Sequence, residues 1–296
     1  MNNKVIRFVS PGVAELQNTA VRESSDGEVL VKILASTISS GTERANLVGE
    51  VNVSCCGNDT AAHFPRTPGY SSAGIVEKTG AGVHSVKPGD RVALSWSVHS
   101  AYCTLPGCNV HKIISDDISF NEAALFHIST FPTAAIRKCR LELGESALVM
   151  GLGVLGTIVV TTKEDIAAVL KEELENGHGV DVAIDCLGGE IMGKCIHYLT
   201  HGARWIMIAA LAGQKTEIDL KNIYVRNVRI VGSTLRSRTP AVKAKILADL
   251  VRDVWPKVST GEVRPTIYKV LPITEAEAAQ DILYRGENVG KVVLTV

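Results

Sequence analysis

A short apolar run that opens into three spaced glycines sets the tightest limit on what this chain can fold into. Ala147 to Gly156 reads Ala-Leu-Val-Met-Gly-Leu-Gly-Val-Leu-Gly, which is G-x-G-x-x-G directly after a strand-like segment. Gly151 would let the chain turn sharply, Gly153 would let backbone approach a pyrophosphate, and Gly156 would let the next helix pack close. The phosphates would then meet the free N–H groups and positive dipole end of that helix. An ordinary glycine turn is the competing reading; the strand context favours dinucleotide binding.

The residues after the motif are unusual. A complete dinucleotide fold continues helix, second strand, helix, third strand. Here Thr157 to Gly177 leads directly into a strand, Val180-Asp-Val-Ala-Ile-Asp-Cys-Leu. One helix fits that interval, but two further strands with connections do not, since a β-α-β unit alone takes about 30 residues. Thr157 to Thr162 is also a β-branched run with poor helix propensity. The pattern places the junction of an absent segment near Val160 and Thr161.

The whole chain narrows the class. Its 296 residues are enough for two domains, and 46% hydrophobic with 21% charged residues is a globular balance. Lys+Arg and Asp+Glu both number 31, so no basic field for nucleic acid is present. No apolar run approaches the ~20 residues that span a bilayer, and Met1-Asn-Asn-Lys opens no signal-peptide pattern. Seven scattered cysteines point to reduced thiols and a cytoplasmic protein. Neither Cys55-Cys56 nor Cys103 and Cys108 has metal-knuckle spacing, and His63, His99 and His111 read more simply as hydrogen-bonded or surface residues.

Along the chain, the first third alternates short β-branched runs with Gly and Pro turns. Val29 to Ala35, Ser72 to Lys78 and Arg91 to Ser95 read as antiparallel strands. Helices are expected at Asn121–Thr130 and Thr133–Arg140, and strands and helices alternate from there. Strands are expected at Arg204–Ala210 and Arg229–Leu235, and a helix after the Thr239-Pro240 cap. The tail reads as strand Thr266–Val270, a helix opening at Thr274, and strand Gly290–Val296. This divides the chain into 1–118 with 265–296, and 119–264, shortened near 160.

Several ordered motifs together resemble one family. They are Pro65-Arg-Thr-Pro-Gly-Tyr-Ser-Ser-Ala-Gly-Ile-Val, Val86-Lys-Pro-Gly-Asp-Arg-Val, the glycine motif, Asp185-Cys-Leu-Gly-Gly, Val231-Gly-Ser-Thr-Leu-Arg-Ser-Arg and Asn288-Val-Gly-Lys-Val-Val-Leu. The chain resembles the medium-chain dehydrogenase/reductases, in particular their zinc-free quinone-oxidoreductase branch. The resemblance implies an α/β protein: a GroES-like β domain, a Rossmann-type parallel-sheet domain whose second and third strands are missing here, and a final segment returning to the first domain. Where the family's zinc enzymes carry metal ligands, this chain has Ser40 (in Ser40-Gly-Thr-Glu43), Tyr70 (in Gly69-Tyr-Ser71) and, near the third position, Phe126. A hydroxyl, a phenol and a phenyl ring do not replace zinc ligands.

The resemblance therefore implies NADPH or NADH as cofactor, no zinc, and a quinone or α,β-unsaturated carbonyl as the small-molecule substrate. Such acceptors delocalise incoming charge onto an oxygen that needs only hydrogen-bond donors. Tyr70 and Thr42, helped by Ser40, are the expected donors; capping and packing are their structural alternatives. Gly151, Gly153, Val154, Leu155 and Gly156 would hold the pyrophosphate, and Thr130 and Asn288 match cofactor-contacting positions of the family. Cys186, Leu187 and Ala209 follow parallel strands at their carboxyl ends, where ligands gather, though core packing would also suit them.

The choice between the two cofactors falls in the absent segment. An alcohol or polyol dehydrogenase, or a non-catalytic scaffold of the same fold, are the alternatives. A homodimer is expected from the resemblance and from the apolar strand Val228–Leu235 at a sheet edge, with Arg236 and Arg238 at its rim.

Overall fold

The computed structural model describes residues 2–51, 61–150, 165–235, 237–285 and 287–296. The chain divides into two compact units, Met1–Thr130 with Leu247–Val296, and Phe131–Ile246.

The first unit opens with an antiparallel hairpin of β1 (Asn2–Ser10) and β2 (Val13–Ala20) around Pro11-Gly12, where Gly12 has φ +80°. There follow β3 (Glu28–Thr37), α1 (Ser40–Leu47), β4 (Ser71–Thr79), β5 (Arg91–Ser95), β6 (Tyr102–Pro106), β7 (Val110–Lys112) and the short α2 (Phe120–Ala123). β3 is buried along most of its length, because Val29, Val31 and Ile33 meet Val76, Val92 and Leu94. β4 and β5 pair antiparallel with Ser71 opposite Ser95, which sets Tyr70 and Trp96 side by side at the open end of the pair.

The helix expected over Asn121–Thr130 is broken. α2 has a complete capping box, with Ser119 and Glu122 satisfying each other's backbone. Beyond Ala123 the hydroxyl of Ser71 intervenes: it donates to the Ala124 carbonyl at 2.6 Å and accepts from the Ile128 N–H at 3.3 Å. Those two groups would bond each other in a continuous helix. A buried serine from a distant strand thus ends the element.

In the second unit come α3 (Thr130–Cys139), β8 (Ala147–Met150), α4 (Ile166–Glu175), β9 (Val180–Asp185), α5 (Gly189–Cys195), β10 (Leu199–Met207), α6 (Leu220–Val225), β11 (Arg229–Gly232) and the first half of α7 (Pro240–Asp253), whose residues from Leu247 on belong to the first unit. Four parallel strands form its sheet in the order β11-β10-β9-β8. Such a sheet, fed by helical crossovers, is the architecture expected after the glycine motif. Its core gathers Met150, Leu170, Ala183, Met192, Leu199 and Trp205.

The chain then returns to the first unit as α8 (Trp255–Ser259), β12 (Ile267–Pro272), α9 (Ala276–Arg285) and β13 (Lys291–Thr295). The helix expected from Thr274 is entered through a 3-10 turn, Ile273–Glu275. β13 pairs antiparallel with β3 and parallel with β12, completing a seven-stranded sheet. Among the described residues, no helix is long and apolar enough to cross a membrane.

Candidate active site

Tyr70 sits just before β4, on a turn that only glycine permits. Gly69 has φ +101°, and a Cβ there would lie 2.6 Å from the backbone nitrogen of His99. That close approach brings the Tyr70 segment against the loop after β5, where Trp96 N–H donates to the Tyr70 carbonyl at 2.8 Å.

The Tyr70 phenol meets the first turn of α1, sharing hydrogen bonds with the hydroxyls of Ser39 and Thr42. Desolvation pushes its pKa well above the ordinary tyrosine value. The Ser39 bond opposes the rise, the nearby Glu43 charge adds to it, and Thr42 again opposes it. Tyr70 is therefore a neutral phenol at physiological pH. Two of the three expected donors, Tyr70 and Thr42, come together. The third hydroxyl is that of Ser39, not Ser40, which occupies the half-buried first position of α1.

The reason lies in how α1 is capped. Ser39 holds the N-cap position, yet its side chain makes no capping bond. Glu43 reaches back instead, accepting the Ser39 N–H on Oε1 at 2.8 Å. The serine hydroxyl is left for the phenol. Glu43 is itself fixed: its Oε2 lies 2.8 Å from His99 Nε2 and accepts from Gln280 Nε2 at 3.4 Å. His99 Nδ1 lies 2.5 Å from Ser36 Oγ. Glu43 is 1% exposed and His99 0%, so this is an interior hydrogen-bonded network, tied to the start of α1 through the Ser39 N–H.

The metal question turns on the donor set. Phe126, which the resemblance puts near the third zinc-ligand position, is buried between His111 and Trp255, with ring centroids 5.0 and 4.5 Å away. Among the described residues no group of three or more His, Cys, Asp or Glu side chains could hold a metal ion. The serine, phenol and phenyl ring at these positions do not fit zinc. The five described cysteines are free thiols.

The second unit offers a different surface. Cys186, Leu187 and Ala209 gather at the carboxyl ends of β9 and β10, as expected. The Cys186 N–H and thiol both point to the Met150 carbonyl, at 3.3 and 3.2 Å. The Leu187 carbonyl accepts from Ala212 N–H at 2.8 Å. Asp185, fully buried, anchors this shelf. It accepts from Leu187 N–H at 2.7 Å, from Gly188 N–H at 3.1 Å and from the Trp205 indole at 3.0 Å. Gly188 has φ +63°, and a Cβ there would lie 2.9 Å from the Gly213 carbonyl oxygen. The glycine motif itself, Gly151, Gly153, Val154, Leu155 and Gly156, lies outside the described residues, as does Arg236.

Thr130 and Asn288 have local work. The Thr130 hydroxyl is buried and donates to the His127 carbonyl at 2.6 Å, and Asn288 Nδ2 donates to the Gly290 carbonyl at 2.7 Å. Both side chains shape the turns around them.

Comparison with known proteins agrees with this architecture. Residues 25–115 match the alcohol dehydrogenase GroES-like domain, and residues 152–294 match a family described as zinc-binding dehydrogenase. Quinone oxidoreductase of Sus scrofa is 25% identical, over 98% of this chain and 96% of its own. That alignment runs over 343 positions, longer than the chain itself, so the relative carries residues that this chain lacks. Among solved structures, a mycobacterial quinone oxidoreductase superposes with a TM-score of 0.81 at 18% identity, covering 99% of this chain and 100% of that one. The same figures hold for a mycobacterial structure complexed with NADPH. At that identity the superpositions establish the fold. The chain belongs to the medium-chain dehydrogenase/reductase family. Within it, distant relatives include quinone oxidoreductases, and the two units are its GroES-like domain and its parallel-sheet Rossmann-type domain.

Proposed function

We propose that the protein transfers hydride from NADPH or NADH to a quinone or α,β-unsaturated carbonyl, without zinc. The observation that carries this reading is the Tyr70–Ser39–Thr42 hydroxyl cluster, in the region where zinc relatives hold their metal. When bound, the reduced nicotinamide supplies the hydride. Negative charge then develops on the acceptor's carbonyl oxygen, remote from the carbon that receives hydride. A neutral phenol oriented by two hydroxyls stabilises such an oxygen without a Lewis acid. Water supplies the proton that completes the product, because a phenol with so high a pKa donates a hydrogen bond more readily than it gives up its proton.

The shelf of Cys186, Leu187 and Ala209 suits a nicotinamide, since its backbone is closely packed and held by Asp185. The glycines 151, 153 and 156 would carry the pyrophosphate. We infer further that the nucleotide domain is internally shortened. In the complete fold two more strands lie beyond the glycine-motif strand. β8 ends the described sheet on that side, and the interval 151–164 is too short for them. Without that platform for adenosine, affinity rests mainly on the pyrophosphate and nicotinamide contacts and should be weak.

The shortened domain also supports a second reading, a non-catalytic scaffold of the same fold. Turnover of a quinone and enone panel with either cofactor, in the presence of chelator, separates the two. Activity supports the enzyme, whereas no turnover and no calorimetric cofactor binding supports the scaffold. A homodimer is proposed through the outer edge of β11, where Ile230 is 44% exposed. Light scattering at micromolar concentration tests it, and a monomer would refute it.

A further inference from the structure

Three lines of contact lead from His99 to Tyr70. The His99 N–H donates to the Pro68 carbonyl at 3.1 Å, two residues before the tyrosine, where Gly69 leaves no room for a Cβ. Its Nδ1 lies 2.5 Å from Ser36 Oγ, and the same hydroxyl lies 3.4 Å from the Ser71 carbonyl, one residue after the tyrosine. Its Nε2 lies 2.8 Å from Glu43 Oε2, while Glu43 Oε1 accepts the Ser39 N–H and the Ser39 hydroxyl bonds the phenol. One fully buried ring is thus tied to the backbone on both sides of Tyr70 and to a partner of its hydroxyl.

Stability alone does not call for such a network, because apolar side chains of similar volume commonly serve an interior as well. The network has a second task at Ser39. A serine at an N-cap ordinarily turns its oxygen onto the second or third N–H of the helix, and here it makes no such bond. The Glu43 carboxylate holds the Ser39 backbone while the hydroxyl stays off α1 and on the phenol. Glu43 is held in turn by His99 at 2.8 Å and, from α9, by Gln280 Nε2 at 3.4 Å. With Glu43 as acceptor, Nε2 carries the hydrogen and Nδ1 faces Ser36, so the two ring nitrogens have different tasks.

We propose that His99 is a positioning residue: through Glu43 it keeps the Ser39 hydroxyl on Tyr70, and so sets the direction in which the phenol presents its hydrogen to the acceptor. Without the His99 bond Glu43 is free to turn, and Ser39 relaxes toward capping α1. This assignment rests on the proposed reductase reading, and the test separates the two.

Amide side chains divide the tasks of the ring. Asparagine at this position can reach Ser36 but not Glu43, and glutamine can reach Glu43. His99→Asn should lower kcat for an acyclic enone about tenfold with KM within about twofold of the parent, and His99→Gln should recover most of that loss. Because His99 acts through Ser39, His99→Asn combined with Ser39→Ala should lower kcat about tenfold, as either change does alone, rather than about 100-fold. A second readout needs no turnover. In protein isotope-labelled at the tyrosine phenolic carbon, the NMR resonance absent from Tyr70→Phe should move in His99→Asn and in Ser39→Ala, and hold its parent position in His99→Gln. If His99→Asn does not fold, Glu43→Asp, one methylene too short to hold Ser39 and His99 together, takes its place in both measurements. A displaced resonance in a protein without reductase activity would retain the positioning role and reject the reductase. Losses that multiply, or an unmoved Tyr70 resonance, in an active enzyme would overturn the positioning role and leave the reductase standing.

Discussion

Glu43 Oε2 and His99 Nε2 lie 2.8 Å apart in an interior that excludes water from both side chains. The contact joins a helix N-terminus to a loop 56 residues away, and the other carboxylate oxygen holds the Ser39 N–H. Removing one member of a buried pair leaves the other charged or polar and unpartnered. Glu43→Ala should therefore cost about 3–5 kcal/mol of unfolding free energy, measured by urea denaturation. Glu43→Gln keeps an acceptor for Ser39 and should cost about 1–2 kcal/mol. An alanine variant within about 0.5 kcal/mol of the parent would show that the pair does not hold α1.

The hydroxyl cluster predicts an order of effects on catalysis. Tyr70→Phe removes the central donor and should lower kcat about 100-fold to 1,000-fold with little change in KM. Ser39→Ala removes one orienting bond and should lower kcat about tenfold. Ser40→Ala should stay within about twofold of the parent. Steady-state kinetics with a single enone gives all three. A larger loss at Ser40 than at Ser39 would reverse the assignment.

His111 provides a pH test. Burial lowers its pKa from 6.5 to about 4. Between those values the unfolded chain binds a proton that the folded protein does not, so stability rises with pH across this window and is lost as pH falls through it. The contribution to the slope is at most about 1.4 kcal/mol per pH unit. Unfolding measured from pH 7 down to about 4 should show a shallower loss in His111→Gln than in the parent. Identical slopes would place the imidazole in a more polar setting than its packing against Phe126 indicates.

Gly153 tests the cofactor site. A methyl group at this position would collide with a pyrophosphate or push the backbone away from it. Gly153→Ala should weaken cofactor binding at least tenfold, about 1.4 kcal/mol, with little change in thermal midpoint. Calorimetry and a melting curve report the two quantities. Equal cofactor affinity would remove phosphate binding from this loop, and collapse of stability would make it a structural turn.

The parallel sheet was legible because β8 and β9 are short apolar runs, and the glycine pattern fixes what such a run precedes. That Tyr70 and Thr42 lie together was legible through the family motifs that carry them. Ser39 was not: the capping task passes to Glu43, whose carboxylate takes the backbone N–H and releases the serine hydroxyl. The break after α2 was hidden for a similar reason, since the group that causes it, Ser71, is 53 residues away from the carbonyl it engages. Local periodicity records neighbours along the chain, whereas these features are made by partners that only the fold brings together.

Metal-independent conjugate hydride transfer leaves an isotopic signature in the product. NADPH or NADH carrying deuterium in place of both hydrogens at its transferring carbon is incubated with chelator-treated protein and an acyclic enone. One deuterium is expected on the carbon β to the carbonyl of the saturated product, at a rate unaffected by chelator. Product without deuterium, or turnover that disappears with chelator and returns with zinc, would contradict it.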